Sequence, residues 1–163
     1  MSSLKPITKE GIPSALQKAE RYRLLNDAVA AESIYLDVLE IDPDNQQALH
    51  NLILSITDQF DHDPSEGVAR ARKLLPRISS EYDRHYLNGL IAERRGRAQL
   101  ARSAEVAADW FREAMTWYAK AEPLRPAGND ESILRWNTCV RLLGRHEPSG
   151  RFEPREYEPS IGE

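Results

Sequence analysis

IPSALQKAERYRLLNDAVAAESIYLDVLEIDPDN, residues 12 to 45, is the stretch that decides the fold. Leu16, Ala19 and Tyr22 recur every three residues and mark the apolar stripe of one short helix. Asn26 reads as a turn. Ala31, Ile34, Tyr35, Val38 and Ile41 then repeat at spacings of three and four, the signature of a second amphipathic helix. Pro43 disfavours helical geometry at Asp42 and stops that helix. The stretch is therefore a helical hairpin. Near the other end Ala114, Tyr118, Ala121 and Pro126 reproduce the second half of it, at the spacings of Ala31, Tyr35, Val38 and Pro43. A hairpin of this kind cannot bury its apolar face alone and must stack on neighbours.

Working outward, the pattern predicts seven helices. The third spans about Asn45 to Gln59, with Leu49, Leu52, Ile53 and Ile56 on one face. Asp63, Pro64 and Glu66 form a capping sequence for the fourth, which carries Gly67, Ala71, Leu74 and Leu75 and stops near Pro76. Ser80 caps the fifth, with Tyr82, Tyr86, Gly89, Leu90 and Ala92 as its apolar or small positions and Gly96 as its end. Residues 97 to 105 are surplus to a 34-residue period, and read either as the end of the fifth helix or as the start of the sixth. The sixth is the most aromatic, with Trp110, Phe111, Trp117 and Tyr118. The seventh follows Gly128-Asn129-Asp130, shows Ile133, Leu134, Trp136, Val140 and Leu143, and ends at Gly144.

The expected organisation is an N-terminal extension over 1–11, an array over 12–144 and an extended acidic, Pro-containing tail over 145–163. Within the array the units are 12–45, 46–79 and 80–128, followed by a capping helix over 130–144. With 40% apolar and 29% charged residues the composition is that of an ordinary globular chain. No window approaches the roughly 18 apolar residues of a membrane span. A lone cysteine, Cys139, among Val140, Leu142 and Leu143 reads as a buried small residue. With no signal-peptide pattern at the start, the expected setting is a reducing one, the cytoplasm.

At these positions the chain resembles the tetratricopeptide repeat family. Unit one carries its pattern through Ala19, Tyr22, Asn26, Ala31, Tyr35 and Pro43, with Val38 in a normally smaller slot. Unit three carries it through Gly89, Gly96, Ala114, Tyr118, Ala121 and Pro126, with Ala92 where an aromatic is usual. Unit two is degenerate, with Ile53 in place of a small residue. The resemblance implies an all-α, right-handed solenoid of three such units plus a C-terminal capping helix. It also implies a non-enzymatic adaptor or assembly scaffold that takes a peptide or helix of a partner protein in a concave groove. Carried over position by position, that groove is lined by Leu16, Glu20, Arg23, Gln47, His50, Asn51, Leu54, Thr57, Tyr86, Leu90 and Glu93. Leu54, Tyr86 and Leu90 are its apolar anchors. Leu16 and Glu20 stand where family members that clamp a terminal carboxylate have Lys and Asn.

Three other readings compete. Residues 1–63 hold 5 basic and 11 acidic side chains, whereas 70–102 hold Arg70, Arg72, Lys73, Arg77, Arg84, Arg94, Arg95, Arg97 and Arg102 against three acids. Such a basic face suits nucleic acid or another anionic partner, although the pI near 5.6 disfavours nucleic acid. Phe152 and Tyr157 each head an aromatic-Glu-Pro triplet in the tail, a linear motif for the array's own surface or a partner's groove, or else a solubilising tail. Self-association through the terminal helices is the third. For chemistry the sequence offers little: Asp61-His62-Asp63 reads as a loop, and Glu81 with His85 has no further ligand. No catalytic residue, metal or cofactor is expected.

Overall fold

The computed structural model describes residues 2–62 and 64–146; the Asp63 cap and the tail motif at Phe152 and Tyr157 lie outside the described residues. Those residues form seven α-helices and no strand: α1 (Ile12–Leu24), α2 (Ala28–Ile41), α3 (Gln46–Thr57), α4 (Pro64–Leu74), α5 (Glu81–Gln99), α6 (Ala104–Ala121) and α7 (Glu131–His146). The fold is all-α, and no helix is long and apolar enough to cross a membrane.

Local chemistry sets the boundaries. α1 ends with Asn26 in the left-handed region at φ 63°, a conformation that asparagine tolerates better than most residues. This lets the Asp27 amide reach back to the Tyr22 carbonyl at 2.9 Å. Asp27 then caps α2 by accepting from the Ala30 amide at 3.0 Å, so a two-residue turn closes one helix and opens the next. Asn45, Ser80 and Ser103 cap α3, α5 and α6 in the same way, through the amides of Ala48, Asp83 and Val106.

Each helix packs on the next, and α3 also touches both α1 and α5. Cross-links at both ends show that α3 and α5 run in the same direction. Gln46, which opens α3, accepts from the Ser79 amide just before α5 at 2.8 Å, while Asp58 at the far end of α3 binds Arg94. α7 follows the same direction, since Tyr82 of α5 reaches Asn129 at 3.3 Å and Arg135 reaches Glu93 further along. The even helices are joined separately, α4 to α2 through Arg70 and Glu32, and α4 to α6 through Arg72 and Glu113.

Small residues sit where helices meet. Ala19, Ala31, Tyr35 and Val38 are fully buried, as are Ala114 and Ala121. A Cβ on Gly89 would lie 2.6 Å from the Tyr118 ring, and one on Gly67 would lie 2.8 Å from Phe60. Gly96 overturns its expected role. It does not end α5 but lies inside it, where a Cβ would come within 2.7 Å of Phe111. The surplus residues lengthen both flanks: α5 has 19 residues against 12 in α3. Seven further residues extend it by about 10 Å at ~1.5 Å each. α7 likewise continues past Gly144 to His146.

Candidate functional site

The residues with chemistry to offer gather along the odd-numbered helices, in a seam of charge that crosses their packing. At its centre Asp58, just past the end of α3, accepts from Arg23 Nε of α1 at 2.7 Å through one oxygen and from Arg94 of α5 through the other. Arg94 also donates to the Thr57 hydroxyl at 2.6 Å and to the Leu54 carbonyl at 3.2 Å. One carboxylate thus ties three helices together. Burial pushes the Arg94 guanidinium below its ordinary pKa, and the opposing pull of Asp58 does not fully offset this.

The second carboxylate is Glu93, with no solvent exposure at all. It accepts from the Tyr118 hydroxyl at 2.8 Å, from Arg97 at 2.9 Å and from Arg135 of α7 at 3.3 Å. A buried carboxylate is costly unless its oxygens are met by donors, and here three groups meet them. Burial and the adjoining carboxylate raise the Tyr118 pKa far above the ordinary tyrosine value. For Arg135 burial works downward, but Glu93 and Tyr86 outweigh it and its pKa is raised. Burial, and then Glu93, push the Cys139 thiol up to about 12. That buried thiol is no nucleophile.

At the other end of the seam His50 is half-buried and desolvation lowers its pKa, with Asp83, Glu131 and Arg23 the charges acting on it. Two clefts flank Asp58. One, of about 320 Å³, lies among Arg23, Leu24, Asn26 and Ala28. The other, of about 210 Å³, lies among Phe60, Asp61, Arg94, Arg97 and Ala98.

Of the groove positions expected from the resemblance, Glu20 and Gln47 are exposed, and Arg23, His50, Asn51 and Leu54 are half-buried. These are accessible along α1 and α3. Leu16, Thr57, Tyr86, Leu90 and Glu93 are buried and cannot serve as surface contacts. Tyr86 stacks on Tyr82 at a ring separation of 5.9 Å and packs against Tyr118, and Leu90, only 2% exposed, is core. The expected anchors Tyr86 and Leu90 are therefore corrected to packing residues, because α5 lies between α3 and the α6–α7 pair instead of facing open solvent.

Most residues of the expected basic face make contacts within the fold, while Arg70, Lys73, Arg77, Arg97 and Arg102 remain exposed. Arg70 is committed to Glu32, Arg72 to Glu113, Arg77 to the Pro43 carbonyl, Arg84 to the carbonyls of Ile78 and Ser79, Arg95 to Gln99, and Arg94 and Arg97 to the seam. Arg72 and Arg95 also flank the Trp110 ring, at 5.6 and 5.7 Å. Among the described residues, Lys73 and Arg102 extend into solvent without such a partner. The arginines of one sequence run are engaged by different neighbours.

The Glu81–His85 pair is a 3.7 Å contact with the His85 ring stacked on Trp117 at 5.7 Å. No group of three or more His, Cys, Asp or Glu able to hold a metal is found among the described residues. Sequence reading missed Asp58 entirely, as nothing local distinguishes it from any acid near a helix end. Comparison of the chain with protein-family models, curated proteins and solved structures finds no match.

Proposed function

We propose that this chain is a non-enzymatic protein-interaction module, a short tetratricopeptide-like array in which the odd helices form the wall that receives a segment of a partner. One observation carries the reading. α1, α3, α5 and α7 contribute Arg23, Asp58, Arg94 and Arg135 to one polar seam, with clefts on both sides of Asp58. A seam of half-exposed donors and acceptors on a rigid helical support suits recognition of an extended backbone and its polar side chains. The buried Tyr118 against Gly89 and Phe111 against Gly96 support the repeat architecture. An adaptor or assembly role follows from binding without chemistry, in a soluble intracellular setting.

The test is selection of peptides from a displayed library against the full chain, followed by titration of the selected peptide. Glu20→Arg, Gln47→Glu and His50→Glu on the wall are expected to weaken binding tenfold or more. Val29→Glu and Leu36→Glu, exposed on α2, are expected to leave it unchanged. Binding that ignores the wall substitutions and responds to those on α2 would overturn the reading.

A further inference from the structure

Among the described residues no α-helix precedes α1, and one side of the first hairpin is left open. α3 has helices packed before and after it, α2 and α5, whereas α1 meets α2, α3 and the short turn Lys9–Gly11. A groove of about 450 Å³ lies between α1 and α2, lined by Ala15 and Tyr22 of the first and by Ala30 and Ile34 of the second. A step of 34 residues carries Ala15, Tyr22 and Ile34 onto Leu49, Ile56 and Val68 of the second hairpin. Those three are 0%, 3% and 8% exposed, while their counterparts in the first hairpin are only half-buried. The chain's own N-terminal segment does not close the groove: Ile7 reaches it, but Leu4 is 85% exposed.

The charges on this groove say what fits it. The same step of 34 residues puts Lys18 of α1 and Asp37 of α2 where the second hairpin has the buried Leu52 and Ala71. Both charged residues line the groove, and neither has an ion-pair partner among the described residues. Asp27 also lines it but is held as the cap of α2. One cation on one helix and one free anion on the next make a face that complements itself. A two-fold axis running along the helices sets α1 of one copy opposite α2 of the other, so that Lys18 meets Asp37 twice. Lys18 lies eight residues before Asn26 and Asp37 eleven after it, a difference in height of about 4.5 Å at ~1.5 Å per residue, which a lysine side chain spans.

We infer that the first hairpin is a self-association surface, on which a second copy of the chain packs the same face about a two-fold axis, Lys18 of each copy pairing with Asp37 of the other. The apolar groove supplies the contact area, and the two charge pairs fix its register. The surface shares no lining residue with the clefts beside Asp58, so it stands whether or not the wall receives a peptide.

Sedimentation equilibrium of the full chain tests this. The mass is expected to rise with concentration from 18.6 kDa toward twice that value and no further. Lys18→Glu and Asp37→Lys, each alone, set like charges opposite one another and are expected to weaken the dimer about tenfold or more. An equimolar mixture of the two variants is expected to recover it, because the mixed pair has opposite charges at both contacts; a misfolded variant could not do this. Leu134→Glu, at an exposed position on α7, is expected to change nothing. The inference is overturned by a monomer at every concentration up to about 1 mM, by a dimer that ignores both reversals, by no recovery in the mixture, or by loss of the dimer with Leu134→Glu. Species larger than a dimer also overturn it, since a two-fold contact closes on itself.

Discussion

Substituting alanine for two glycines in α5 and α7 separates packing from helix propensity, and the expected signs are opposite. Gly144 lies in the last turn of α7 with nothing within 4 Å of an added Cβ. There Gly144→Ala gains only helix propensity and the reduced freedom of the unfolded chain, about 0.5 kcal/mol so close to the helix end. At Gly89 the added Cβ would meet three Tyr118 ring carbons at 2.6, 2.7 and 3.1 Å. That ring cannot swing aside, because it is 1% exposed and its hydroxyl is held by Glu93, which Arg97 and Arg135 hold in turn. Overpacking of this kind costs about 3 kcal/mol at the upper end of its range, and the propensity gain of about 1 kcal/mol leaves a net loss of about 2 kcal/mol. For a chain of this size that is a fall in melting temperature of roughly 4–8 °C, whereas Gly144→Ala raises it by about 1–2 °C. Thermal unfolding followed by circular dichroism reads both. A Gly89→Ala protein that melts at or above the wild-type temperature would refute the reasoning that α5 and α6 approach through this residue.

Three other outcomes follow from the seam and its surroundings. Asp58→Asn removes the charge between Arg23 and Arg94, all three at most about a quarter exposed, and should cost about 1–2 kcal/mol in urea unfolding. Arg23→Gln in the same background should then cost little more, whereas full additivity would mean that the two do not interact. Cys139 has its thiol raised from 9.0 to about 12, so its contribution to stability is complete below pH 9 and is lost between pH 9 and 12. Melting temperature should therefore fall from pH 9 upward, and Cys139→Ala should remove the first part of that fall; an identical profile would contradict the burial of the thiol. His50 is lowered from 6.5 by burial, so the stability it contributes is present above pH 6.5 and is lost as the pH falls below it. His50→Gln should flatten the acid limb of a stability-against-pH curve, and an unchanged limb would count against a desolvated His50.

The positions most legible in the sequence are those where packing dictates residue size. Ala19, Ala31, Tyr35, Ala114, Tyr118 and Ala121 were expected at helix contacts, and all are buried. Ser80 was expected to cap α5 and does so. Gly96 was misread for a physical reason: a glycine that ends a helix and a glycine that admits a neighbouring ring look alike in one dimension. The separate partners of the arginine run were not legible either, since successive helical residues point about 100° apart and proximity in sequence says nothing of a shared neighbour. Glu93 was placed on a surface, whereas it is buried, because Arg135 and Tyr118, which make its burial tolerable, come from distant helices. Long-range partners of this sort leave no local signal, and Asp58 left none either.

The central claim is that the wall made by the odd helices is the receiving face. Amide chemical-shift mapping of the full chain, titrated with a peptide selected against it, tests this most directly. The account predicts shifts concentrated on Glu20 to Asn26, Gln47 to Asp58 and Arg94 to Ala98, with α2, α4 and α6 largely silent. Shifts concentrated on the exposed α2 positions Val29 and Leu36, with the seam silent, would contradict it.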